Sequence, residues 1–465
     1  MRGPKTCRLA VCYNLGLMLS RRVLCQLFVA VFSLSCLASA LDRQPNADYR
    51  ARRVALARKA NGGAAVLFAA VEAEGPNALY GFRQDDNFYY LTGLSEPGAA
   101  VLIASEVADE GASKARPYTE ILFLPARNPS EERWTGPRLS PENPEAARLT
   151  GFDRVETLDK LRDELVRLLP RGQAAIYSDL AKGNAASAAA IDWLRRANAF
   201  PVSARVEDVR PMLDELRRVK DAGEIALIRK ATDASMAGHL AAMHALKPGM
   251  SEREIQALIQ YEFQKRGCER PAYAPIVGAG INSTVLHYSE DSATIQAGDV
   301  LLIDAAGEYS MYASDITRTL PASGKFTPRQ REIYDIVLGA QEAAIKAFRA
   351  GRTPMAGEQA DALQNVAYNY INSHGKDLHG KPLGQYFIHG LGHFVGLSVH
   401  DVGGSSVALD RGMVFTLEPG IYIPEERLGV RIEDMFLVEQ NGDLVRLTAG
   451  LPRTAEEVEA AMAGR

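Results

Sequence analysis

Four acidic residues in the C-terminal half stand where apolar strands should run. Asp304 closes the run "VLLI", Asp315 lies in "YASDITRT", Glu418 follows "MVFTL", and Glu433 sits inside "GVRIEDMFLV". A carboxylate at the end of a buried strand is costly unless something neutralises it. For any one of the four, a turn or an ion pair such as Glu433 with Arg431 is explanation enough. Four together are harder to satisfy, because mutual repulsion without cations would drive their pKa values up. Two divalent ions remove the problem, setting four positive charges against four negative ones.

The segment "GDVLLIDAAGEYSMYASDITRTLP" (298–321) has two strand-like runs flanking a loop at 306–312, which predicts a β-hairpin. Its symmetry places Asp304 and Asp315 opposite each other on paired antiparallel strands. A second concentration of chemistry is "HGLGHFVGLSVHD" (389–401), with His389, His393 and His400 out of eight histidines in the chain. Glycines 390, 392 and 396 make it a poor helix.

A chain of 465 residues predicts two domains. Residues 41–204 read as one α/β domain, with strand-like runs at 64–73, 98–105 and 119–126 and helical periodicity at 157–170 and 185–199. No catalytic constellation is visible there. A polar, helix-rich stretch at 205–222 is the expected junction, and 205–465 the second domain. A helix is expected over 221–246, with Asp221 and Glu224 at capping-box spacing, and another from the N-cap Thr327, with Pro328 and Gln330 behind it, to Gly351.

Residues 1–40 hold Arg2, Lys5, Arg8, Arg21 and Arg22 and no acid; an apolar run, "VLCQLFVAVFSLSCL", leads to Ala38-Ser39-Ala40. This predicts a secretory signal peptide cleaved after Ala40, with an uncleaved anchor helix as the alternative. Met18 is an alternative start, Ser20-Arg21-Arg22 a weak twin-arginine signal, and Cys36 lacks a good lipobox. Cleavage would remove four of the five cysteines, leaving Cys268 and no intramolecular disulfide. Charge would become 48 basic against 57 acidic residues, which argues against nucleic-acid and membrane partners.

Six stretches together resemble one known family. "FRQDDNFYYLTGLSEPGAAVLI" (82–103) is similar to the N-terminal domain signature of the aminopeptidase P and prolidase family. "VLHY", "DAAGEYSMYASDITRT", "HGLGHFVGLSVHD", "EPGIYI" and "VRIED" then follow in that family's order. The resemblance covers nearly all of residues 41–465. It implies an α/β (α+β) chain whose C-terminal domain has the pita-bread fold. It also implies a dinuclear metal site on Asp304, Asp315, His393, Glu418 and Glu433, with a hydroxide between the ions. Manganese is the family's usual ion and suits this oxygen-rich donor set; zinc and cobalt are alternatives.

His287, His389 and His400 are implied as groups around substrate and metals, and Glu418 as the proton shuttle. Arg431 is a candidate either to read a substrate carboxylate or to hold Glu433 or the substrate backbone. Glycines 390 and 392 would let the backbone approach closely. His239, His244, His374 and His379 are read as surface or helix histidines. The activity implied is an exported Xaa-Pro aminopeptidase acting on peptides with proline second, as a homo-oligomer. A dipeptide-restricted prolidase stays open, since the connection "EPGIYIPEERLGVRIED" is short. So do a non-catalytic pita-bread binding module and a metal-free creatinase-type hydrolase, each disfavoured by the five ligands. The resemblance implies that the N-terminal domain borders the active-site mouth, in some members that of a neighbouring subunit, and Trp134, in "ERWTGPR", is the candidate for an apolar contact there, with domain packing as the alternative.

Overall fold

The computed structural model describes residues 42–72, 80–105, 118–169, 175–181, 188, 192–193 and 205–464. The expected signal peptide and nearly all of the expected helix 185–199 lie outside them. No helix among the described residues is long and apolar enough to cross a membrane.

The N-terminal half is built on a six-stranded mixed sheet. Its order is Arg154–Thr157, Tyr118–Leu124, Ala100–Ser105, Ala64–Phe68, Ala175–Ser178 and Arg205–Asp208. The three central strands pair antiparallel and the outer ones parallel. Ala100–Ser105 is buried along its whole length. Val66, Leu102, Ile121 and Ile176 pack to one side with Leu161 and Leu165, while Leu67, Val101, Ile103 and Leu122 pack with Leu56 and Phe88. A strand covered on both faces reads as a continuous apolar run, as this one does.

Three expectations shift here. The strand expected over 64–73 ends at Phe68. The helix expected from 157 begins at Leu161, after a tight turn over Leu158–Lys160. The stretch expected to be a helix-rich junction opens with a strand, Arg205–Asp208, paired to Ala175–Ser178, before the helix Arg210–Arg218.

In the C-terminal half, the helix Ala222–Ala245 starts at a capping box between Asp221 and Glu224, and Pro328–Ala347 at one between Thr327 and Gln330. Both close within a single turn, which is why four residues of sequence were enough to place them. The second helix stops at Ala347, short of the expected Gly351.

The hairpin exists, but its register differs from the expected one. Asp304 faces Thr317, not Asp315. Pairing continues into the expected loop through Glu308 with Ala313 and Tyr309 with Tyr312. The tip is only Ser310 and Met311, both left-handed (φ 49° and 72°), the backbone of a type I′ turn. Met311, Tyr312 and Ala313 belong to an apolar cluster that also holds Leu56 and Tyr89 of the N-terminal half. That packing fixes the register and moves the centre of the hairpin by one residue. Asp315 therefore sits diagonally from Asp304 on the ribbon rather than across from it.

Candidate metal centre

Three chain segments bring the carboxylates and the histidine together. The hairpin supplies Asp304 and Asp315. Glu433 donates its backbone N–H to the carbonyl of Thr317 at 3.1 Å, so the "VRIED" segment lies against the second hairpin strand. The glycine-rich segment runs beside the strand Val414–Leu417. There Thr416 donates its amide to the carbonyl of His393 at 2.9 Å, and Glu418 its amide to Leu391 at 2.7 Å. A Cβ on Gly392 would stand 2.1 Å from the Thr416 carbonyl oxygen, so only glycine fits. Gly390 has open space around it and needs no such explanation.

All five expected metal ligands line one cavity of about 580 Å³, with His287, His389, His400, Arg431 and Tyr273. Asp315, His393 and Glu433 offer ligand atoms within 4.8 Å of one another. His393 Nε2 lies 3.3 Å from Asp315 and 3.4 Å from Glu418. Its Nδ1 donates to the Phe394 carbonyl at 3.1 Å, which leaves Nε2 as the ligand atom.

Burial and like charge dominate the electrostatics of these groups. Burial raises the pKa of Glu418 to about 7, although His393 and Arg431 oppose the shift. Asp315 and Glu433 are also raised, first by burial and then by their carboxylate neighbours. Burial lowers His393, but Asp315 and Glu418 outweigh it and lift the imidazole to about 9. Glu433 Oε2 accepts from the Thr317 hydroxyl at 2.7 Å, while Oε1 is buried with no hydrogen-bond partner among the described residues and lies 4.0 Å from His393 Nε2. An orphaned carboxylate oxygen beside an aspartate and an imidazole is what a divalent cation fits.

Nothing in the sequence marked Tyr273, Tyr422 or Thr317 individually as site residues. The Tyr273 hydroxyl lies 2.5 Å from Asp304 and 2.6 Å from Asp315. A phenol carries one proton, so the Tyr273 hydroxyl is shared between the two carboxylates. Tyr273 sits in "RPAYAPI" with no charge pattern to mark it, whereas Tyr422 lies within "EPGIYI".

Arg431 is buried and bonded at all three guanidinium nitrogens. It donates to Asp304 at 2.6 Å, Tyr422 at 2.8 Å and Thr317 at 3.2 Å, so its carboxylate partner is Asp304 and not Glu433. Tyr422 donates in turn to His389 Nε2 at 2.8 Å, and His389 Nδ1 donates to the Gly390 carbonyl at 2.8 Å. Burial and then Arg431 hold His389 down to about 4, the neutral form. The His400 ring centroid is 4.1 Å from that of His393, and burial and then His393 lower its pKa.

Of the four remaining histidines, His244, His374 and His379 are exposed. His239 is helical but not a surface residue: it is 1% exposed and bonds the Ala305 carbonyl, next to Asp304, at 2.9 Å.

The chain is similar to known proteins along most of its length. Residues 226–440 match the model of metallopeptidase family M24, and 49–177 that of the aminopeptidase P N-terminal domain. The chain is 35% identical to the Xaa-Pro aminopeptidase of Escherichia coli (strain K12), over 91% of this chain and 98% of that one. It is 32% identical to Xaa-Pro aminopeptidase 3 of Homo sapiens, over 82% and 76%. Its fold is similar to that of proline aminopeptidase P II from Yersinia pestis, with a TM-score of 0.77 and 36% identity over 91% of this chain and all of that one. A zinc-substituted E. coli aminopeptidase P in complex with product matches with a TM-score of 0.78 and 33% identity, over 91% and 99%.

Proposed function

The chain belongs to metallopeptidase family M24 and carries the aminopeptidase P N-terminal domain; on that premise we propose that its Xaa-Pro aminopeptidase activity runs on two divalent ions, manganese first among them, held by Asp304, Asp315, His393, Glu418 and Glu433. The observation that carries this reading is the unpartnered Oε1 of Glu433, buried in a cavity lined by all five donors. Bound there, the ions would activate a water at neutral pH and polarise the scissile carbonyl.

The remaining work falls to the chain's own side chains. Glu418, which borders the cavity, carries a proton toward the leaving nitrogen. His287 and His400 line the same cavity and hydrogen-bond the substrate around the reacting carbonyl. His389, kept neutral and fixed by Tyr422, presents one defined tautomer. Arg431 orients Asp304. When proline follows the scissile bond, its nitrogen has no N–H, so a site that asks for no hydrogen bond there accepts the ring.

Substrate length tests the reading. A dipeptidase needs a free cation for the proline carboxylate, and Arg431 is already committed to Asp304, Tyr422 and Thr317. Ala-Pro-Ala and longer Ala-Pro peptides are therefore expected to be cleaved with kcat/KM at least equal to that for Ala-Pro. Turnover of the dipeptide alone would establish the prolidase reading instead.

Export and assembly belong to the same proposal. Residues 1–40 have the pattern of a cleaved signal peptide. N-terminal sequencing of the extracytoplasmic protein is expected to begin at Leu41, and a cytoplasmic protein retaining Arg21 and Arg22 would overturn this. Trp134 is 91% exposed, so it packs little against the described residues, which supports an apolar contact with a second copy.

A further inference from the structure

The segment that carries His400 is held from outside the strands that build the metal centre. Ser398 donates its hydroxyl to Asp86 at 2.6 Å, and the Leu397 carbonyl accepts from Arg83 at 2.7 Å. Arg83 also donates to Asp86 at 2.9 Å and to Glu308 at 2.7 Å. Asp86 opens the helix Asp86–Thr92 of the N-terminal half.

On the other side of His400, Asp401 accepts from Arg217 at 2.6 Å and from Lys220 at 2.9 Å. Its side chain is 2% exposed, and those of Arg217 and Lys220 are 5% and 1% exposed. Arg217 reaches Asp86 as well, at 3.4 Å. The wrap is tight: a Cβ on Gly396 would stand 2.1 Å from Asp401 Oδ2 and 2.9 Å from Lys220 Cε. Buried charges of this kind are weak contributors to net stability, but they fix one arrangement of the groups that join them. The group fixed here is His400, which sits between the two anchors.

Resting on the activity reading above, we infer that Asp86 and Arg83, with Asp401 clamped by Arg217 and Lys220, are positioning residues that hold His400 beside His393. The N-terminal half then takes part in the reaction through this latch, although it lends no atom to the metal centre. Misplacing a substrate-facing group by about 1 Å can cost about a hundredfold in rate, so partial release of the latch should be visible in kinetics.

The test is a double-mutant cycle joined to hydrogen exchange. In Asp86→Ala, kcat/KM on Ala-Pro-Ala is expected to fall about tenfold, with metal content and melting temperature near wild type. The Asp401 amide, bonded to the Phe394 carbonyl at 2.8 Å, should exchange faster. In a His400→Ala background the same change should add almost nothing, because the group it positions is gone. Ser398→Ala removes a single bond to Asp86 and should show the same pattern more weakly, which covers the case of a poorly folding Asp86 variant. Equal losses with and without His400, or unchanged exchange at Asp401, would overturn the latch. Exchange needs no substrate, so a wild type that leaves Ala-Pro-Ala intact, with the exchange result as expected, would overturn the activity reading instead.

Discussion

Alanine at Asp315 or Glu433 is expected to lower turnover by about three orders of magnitude or more, with the fold retained. Asp315 contacts both His393 and Tyr273, and Glu433 places its unpartnered Oε1 in the same group of donor atoms. Each loss therefore opens the shared part of the site, and metal content after gel filtration should fall well below two ions per chain. Folding should survive because each substitution removes a carboxyl from a cluster in which burial and like charge already push pKa values up. Thermal melting of the metal-free variants within a few degrees of metal-free wild type would support this. Wild-type turnover in either variant, or full activity in a chelated sample, would overturn the metal mechanism.

Between pH 6.5 and 9 the metal-free protein is expected to lose stability as pH rises, while the metal-loaded protein stays nearly constant. Glu418 is raised from 4.5 to about 7, so its contribution is fully present below 4.5 and is lost as pH rises through 7. His393 is raised from 6.5 to about 9, so its contribution is present below 6.5 and is lost as pH rises through 9. Together they are worth on the order of a few kcal/mol. Below pH 6.5 the slope is opposed by His239 and His389, both lowered to about 4 by burial, whose contributions are lost as pH falls.

Loading removes that loss in the upper window. The ions bind the deprotonated ligands, so affinity rises with pH. Free metal at a thousand times Kd adds about 4 kcal/mol. Glu269, raised to about 7 by burial, contributes equally with and without ions. The quantity to measure is therefore the difference in unfolding free energy between loaded and stripped protein, from denaturant titrations at several pH values. A difference that stays flat from pH 6.5 to 9 would show that Glu418 and His393 do not lose protons when the ions bind.

Sequence alone determined whatever closes locally or is carried by residue identity. The caps at Asp221 and Thr327 are settled within one turn of helix, and the apolar runs of the central sheet name themselves because both faces are covered. Four carboxylates in apolar strands pointed to cations, while the expected ligand set, His393 included, came from the resemblance to a known family. Tertiary structure alone decided the register of the hairpin, since it depends on Met311 and Tyr312 packing against Leu56 and Tyr89, some two hundred residues away in the chain. It also decided that Arg431 serves Asp304 rather than Glu433, and that Tyr273 joins two carboxylates. It placed Asp86 against Ser398, a pairing across 312 positions. Such partners are set by which surfaces meet when the two halves pack, and a short window of sequence contains only one side of each meeting.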